Sequence, residues 1–159
     1  LNMMDIALEI SRVDSTFEDV ATKFYEHFVL IAESLNEELW DAHDHFYYDL
    51  LHPLRGPSKQ LKVRSVVGLA VLFDVSVIKR SECDHLQDFL KRMRFFRNYR
   101  HRLGKPLPPE HISGNGDILL SILPKERLLS LLRTLLDESE FLSPGGIRAL
   151  SKYHEQHPY

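Results

Sequence analysis

Residues 65–78, SVVGLAVLFDVSVI, are apolar nearly all round, and a segment of that kind has to be covered on every side. Its β-branched residues Val66, Val67, Val71, Val75, Val77 and Ile78 suit a buried strand, whereas its length favours a helix. Ser65 stands where an N-cap belongs. A helix here needs an outer layer around it. Residues 17–35 offer one, because Phe17, Val20, Ala21, Phe24, Phe28, Ile31 and Leu35 recur at three- and four-residue steps on one stripe. Thr16 is the expected cap of that helix, with Glu18 and Asp19 favourably placed against its dipole.

Between these two segments lies LWDAHDHFYYD, residues 39–49, followed by a Pro53, Gly56, Pro57 turn region and an alternating Leu61, Lys62, Val63, Arg64 stretch. This pattern predicts a β-hairpin over 40–64 projecting from a helical body. A third helix is expected over about 84–102, with Leu86, Phe89, Leu90, Met93 and Phe96 inward and Lys91, Arg92, Arg94, Arg97, Arg100 and Arg102 elsewhere. A Pro- and Gly-rich connection leads to ILLSIL, which is short enough for a strand. Pro124 then opens a helix running to about Asp137 with Leu128, Leu131, Leu132, Leu135 and Leu136 as its core face. One-faced and all-round apolar segments thus alternate, as two layers of helices require.

Charge and cysteine usage narrow the function. With 20 Lys and Arg against 23 Asp and Glu, the net charge of -3 creates no general attraction to nucleic acid or acidic lipid. The cations of the third helix therefore read as a solvated face. A single cysteine, Cys83, has no partner for a disulfide and fits a reducing, cytoplasmic setting. The apolar run at 66–77 is interrupted by Asp74 and Ser76 and is shorter than a membrane span. Leu1 begins within a helical pattern, LNMMDIALEISRV, as in a piece of a longer chain.

Several constellations carry possible chemistry. Asp41, Asp44 and Asp49 lie beside aromatic rings, an arrangement suited to sugars, although aspartates next to turns also cap backbone amides. His43, His45 and His52 with Asp44 suggest a metal site, but on a strand Asp44 points away from the histidines, so no metal and no cofactor is expected. No nucleophile elbow, phosphate-binding loop or dinucleotide fingerprint is present. Arg64, just before the apolar segment, and Arg148, after Gly145 and Gly146, each either form a structural salt bridge or hold a substrate group.

The stretches LWDAHDHFYYDLLHPLRGPSKQLKVRSVVGLAVLF and FLSPGGIRALSKYHEQHPY resemble glycoside hydrolase family 63, the mannosyl-oligosaccharide glucosidase and mannosylglycerate hydrolase relatives. KRMRFFRNYRHRL and LLSILPKERLLSLLRTLLDESEF extend the likeness over nearly the whole chain, nearest to a microbial and fungal branch. The relatives usually carry Gly at His45 and Pro at Val71, which implies a different turn at the first and a straighter helix at the second.

The resemblance implies a mainly α fold. Residues 1–159 would be an incomplete piece of an (α/α)6 toroid with a small β-hairpin insertion, and 65–78 an inner helix left uncovered on one side. It further implies an inverting α-glucosidase-type enzyme acting on glucosides or related sugars, its two carboxyls roughly 6.5–9.5 Å apart. In the family the acid would precede Leu1 and the base would follow Tyr159. This chain would then form pocket wall against a carbohydrate substrate, with Asp44, Phe46, Tyr48, Asp49, Arg64 and Arg148 shaping the site and no catalytic residue of its own. Its partner would be the remainder of the catalytic domain, with neither nucleic acid nor membrane involved. The competing expectation is a non-catalytic helical binding or scaffold module.

Overall fold

A computed structural model describes residues Leu1–Tyr159. The chain begins with α1 (Asn2–Ser11) and α2 (Phe17–Ser34), then a π-helical turn, Leu35–Leu39. Short strands β1 (Trp40–Asp41), β2 (Phe46–Tyr47), β3 (Asp49–Leu51) and β4 (Lys59–Leu61) precede a 3-10 helix, Val66–Phe73. Next come β5 (Val75–Ile78), α3 (Gln87–Arg102), β6 (Glu110–Ile112), β7 (Ile118–Ser121) and α4 (Lys125–Leu135). The last elements are β8 (Leu142–Ser143), β9 (Gly146–Ile147) and a 3-10 turn, Lys152–Glu155. No helix is long and apolar enough to cross a membrane.

The fold is mixed α/β, which overturns the expected mainly α, partial (α/α)6 toroid. Four small antiparallel sheets accompany the helices, with strand orders β1-β2, β3-β4, β5-β7-β6 and β8-β9. The decisive segment is 65–78. Its first part forms the 3-10 helix, capped as expected by Ser65, whose Oγ accepts from the Val67 amide at 3.3 Å. Beyond Asp74 the β-branched run becomes β5, pairing Val75 with Ser121 and Ile78 with Ile118. There is accordingly no inner helix for Val71 to straighten. Nor is the segment covered all round, since Val67 is 63% and Phe73 78% exposed.

Two compact units are present, each assembled from two stretches of chain. The first comprises 1–33 and 74–122. Its interior includes Met4 and Ala7 of α1, Tyr25 and Val29 of α2, Phe89 and Met93 of α3, and Leu120 of β7, all nearly inaccessible. Tyr25 meets Phe89 edge to face at 6.2 Å. The buried line of α2 runs through Ala21, Tyr25, Phe28, Val29 and Ala32, while Val20 and Ile31 from the expected stripe are exposed. Thr16 does not cap α2 with its hydroxyl, which instead donates to Asp14 Oδ1 at 2.7 Å.

The basic face of α3 is partly neutralised instead of wholly solvated. Arg100 is buried and pairs with Glu33 at 2.5 Å, Arg97 with Glu110 at 2.9 Å, and Arg92 with Asp19. Lys91, Arg94 and Arg102 remain exposed.

The second unit comprises 34–73 and 123–159. Phe46, Tyr47, Tyr48, Leu69, Val71, Leu123, Leu131 and Phe141 form its core. The single hairpin expected over 40–64 is in fact two, with Trp40 opposite Tyr47 and Asp49 opposite Leu61. A bridge between Ser65 and Leu150 brings the C-terminal stretch alongside the residues that follow β4. That stretch closes in the hairpin β8-β9 and the 3-10 turn.

Candidate functional site

The most connected polar cluster lies in the second unit and starts from the turn between β1 and β2. Asp41 Oδ1 accepts from the backbone amides of His43 at 2.9 Å and Asp44 at 2.8 Å, the aspartate-turn chemistry anticipated from sequence. Reversing the chain in so few residues puts His45 at φ 52, a left-handed conformation that costs a non-glycine residue about 1–2 kcal/mol. His45 is thus forced into the geometry that Gly would supply more cheaply.

Because 42–45 is a turn and not a strand, Asp44 does not point away from the neighbouring histidine. His43 Nδ1 and Asp44 Oδ1 are 2.8 Å apart. Lys62, arriving just after β4, sets its Nζ 2.8 Å from Asp41 Oδ2 and 2.9 Å from Asp44 Oδ2. The ligand atoms of Asp41, His43 and Asp44 fall within 4.8 Å of one another, yet the ammonium of Lys62 already stands against both carboxylates where a metal ion would bind. No metal is assigned to the cluster.

From Asp44 a chain of hydrogen bonds runs inward. The Tyr48 hydroxyl donates to Asp44 Oδ2 at 3.0 Å and accepts from Arg64 Nε at 3.1 Å. Arg64 also binds Glu140 Oε1, and its guanidinium lies 4.5 Å from the centre of the Tyr153 ring. Glu140 in turn accepts from the Ser151 hydroxyl. His154 Nε2 accepts from the Arg64 amide at 2.9 Å, and its Nδ1 lies 2.7 Å from the His157 carbonyl. With Nε2 accepting, the bond to the His157 carbonyl is donated by Nδ1.

Electrostatics fix the protonation of the outer part. Burial disfavours the charged form of Asp44, but hydrogen bonds from His43, Lys62 and Tyr48 outweigh it and hold the carboxyl well below the usual range. Asp41 is lowered as well, first by Lys62 and then by the Asp44 amide. Lys62 is raised correspondingly by its bonds to Asp41 and Asp44. The Tyr48 phenol is pushed up, mainly by burial. Both aspartates are therefore acceptors at neutral pH, and neither is a proton donor.

The six residues expected to shape a sugar site are distributed unevenly. Asp44 and Arg64 join the network directly. Tyr48 contributes its hydroxyl only, because its ring is 2% exposed, and Phe46, at 1%, stacks on Phe141 with centroids 5.9 Å apart. Asp49 is exposed on β3, opposite Leu61. Arg148 is turned into its own loop, where its guanidinium donates to the carbonyls of Glu138 at 3.2 Å, Glu140 at 3.3 Å and Leu142. Neither arginine pairs with the aspartates. Arg64 takes Glu140, and the aspartates take Lys62.

Lys62, Glu140, Ser151 and His154 were not anticipated as site residues. Lys62 was recognisable as a polar position of an alternating strand, whereas Glu140 and His154 have no periodic relation to Arg64. A second polar assembly flanks Trp40, whose ring lies 4.6 Å from the Arg127 guanidinium. Arg127 also donates to Asn36 Oδ1 at 2.7 Å, and Tyr47 packs edge-on against Trp40 at 4.9 Å. Half-buried Trp40 therefore already carries a cation on its ring.

No protein-family description matches the chain, and no solved structure does. The chain is similar to the uncharacterized protein YMR196W of Saccharomyces cerevisiae, with 40% identity over 179 aligned positions. That alignment takes in 100% of this chain and 16% of the yeast protein, so the chain spans only a small part of the relative's length.

Proposed function

We propose that this chain is a non-catalytic wall of a cytoplasmic, family 63-like glycoside hydrolase acting on glucosides or related sugars. The observation that carries the proposal is the outer cluster of Asp41, Lys62, Asp44 and His43, a set of fixed acceptors and donors at the surface backed by buried Tyr48 and Arg64. Sugar hydroxyls are bound by such paired acceptors and donors, and pre-ordered ones lose little entropy on binding. Both aspartates are held ionised, so the cluster suits orientation of a substrate and not protonation of a leaving group. The likeness of the two quoted stretches to family 63 supports a carbohydrate as the partner. The acid and base would then come from the remainder of the parent domain.

The test is hydrolysis by the full-length yeast relative, assayed on aryl and natural α-glucosides with the anomer of the product followed by NMR. Turnover with inversion is expected there, and none from the present chain alone. Turnover by this chain alone would overturn the wall assignment. An inert full-length relative, together with glucoside binding by this chain that is lost on Asp44→Asn or Lys62→Ala, would replace it with the binding-module reading.

A further inference from the structure

The first unit contains a cavity of about 300 Å³ between α1, β5 and the turn that follows β5. Its floor is apolar, formed by Leu8, Ile78 and Leu86, each less than one tenth exposed. One polar group interrupts that floor. Ser76 occupies an inward position of β5, where the alternation of exposed Val75 and Val77 with buried Ile78 calls for an apolar residue. Its hydroxyl, 7% exposed as a residue, donates to Asp5 Oδ1 at 2.7 Å, across 71 positions of sequence. This contact fixes the Asp5 carboxylate at the edge of the cavity.

The remaining rim does not neutralise it. Arg12 lies there, but its Nε binds Glu9 at 3.0 Å and its terminal nitrogen binds Glu82 at 2.8 Å. Two carboxylates thus share the Arg12 guanidinium; His85 also lines the cavity, and no ion pair reaches Asp5. A cavity with an apolar floor and an oriented carboxylate that no cation of the chain pairs with is complementary to an amphipathic cation.

We propose that this cavity binds an alkylammonium group, its cation on Asp5 and its apolar stem on Leu8, Ile78 and Leu86. The same chemistry is offered by a free small amine and by the side chain of a lysine on a protein, and the test separates them.

The probe is phenethylamine, titrated into the full chain while backbone amide shifts are followed by NMR. Its neutral isostere 2-phenylethanol and a short lysine peptide with blocked ends form the comparison arms. Saturable shifts at Leu8, Ser76, Ile78 and Leu86 are expected with phenethylamine, and binding of 2-phenylethanol weaker by about tenfold or more. Asp5→Asn, a change at an exposed carboxylate, should weaken phenethylamine by a similar factor. Ser76→Ala, which leaves the charge in place but frees its orientation, should have a smaller effect in the same direction. Peptide shifts at the same amides, displaced by phenethylamine, assign the lysine source; their absence, with phenethylamine binding intact, assigns a free amine. The proposal is overturned if no saturable shift develops by about 10 mM, if 2-phenylethanol binds as well, or if Asp5→Asn leaves binding unchanged.

Discussion

At Gly68 the chain has room for a hydrogen atom and nothing larger. A Cβ there would collide with Cε1 of Phe46 and with the Tyr47 carbonyl oxygen, so the strand β2 and the 3-10 helix approach closely at this point. The backbone oxygen cannot swing aside as a flexible side chain would. Gly68→Ala is therefore expected to cost about 2–3 kcal/mol in denaturant unfolding. A cost below the error of the measurement would mean that the core around Phe46 is looser than described. Asp44 supplies a second residue-scale test. Its carboxyl is lowered in the folded protein, so its stabilising contribution is complete above the ordinary carboxylate value of 3.8 and is lost as the pH falls below it. Asp44→Asn should lower stability by about 1 kcal/mol near neutrality, where half-exposed Lys62 meets a mostly covered Asp44 carboxylate. The difference between variant and parent should shrink below about pH 4 as the parent is protonated. Unfolding curves across the acid range check it, and a gap that widens on acidification would reverse the assignment.

At the scale of elements, α2 and α3 are joined by more than apolar contact. Glu18, 8% exposed, accepts from the Phe89 amide at 2.8 Å in the first turn of α3, satisfying an amide that the helix itself cannot. Glu18→Ala removes both that partner and a negative charge at a helix N-terminus. A loss of about 1–2 kcal/mol is expected, with faster amide exchange confined to the first turn of α3. Uniform acceleration throughout α3 would instead indicate a general packing role.

The helices α2, α3 and α4 were legible because their apolar residues recur at helical spacing, and the paired strand β7 because ILLSIL lies between turn-forming residues. Residues 65–78 were not, since a segment apolar on all sides has no period to distinguish helix from strand. Its outcome depends on β7, some forty positions away in sequence, which pairs with Val75–Ile78 and leaves only Val66–Phe73 helical. The inner part of the site was hidden for a similar reason. Arg64 could be singled out, but the contacts that place Glu140 and His154 beside it follow from the pairing of Ser65 with Leu150. The rings of Phe46 and Tyr48 suggested a sugar platform because aromatic residues in a short strand look alike whether they face solvent or core.

For the whole molecule, the two units divide the chemistry. The carboxylate and lysine cluster, with the arginine relay behind it, is contained in the unit built from 34–73 and 123–159, together with that unit's complete aromatic and leucine core. The cluster is tied to that core through the Tyr48 hydroxyl and the Arg64 guanidinium. The amine-complementary cavity belongs to the other unit. We propose that the outer cluster meets sugar hydroxyls, and titration of the full chain with methyl α-glucoside, followed by backbone amide NMR, is the decisive measurement. Saturable shifts are expected for residues 40–45 and 62, abolished by Lys62→Ala in a chain that keeps its melting temperature within a few degrees. Shifts that appear elsewhere, or that survive Lys62→Ala, would contradict it.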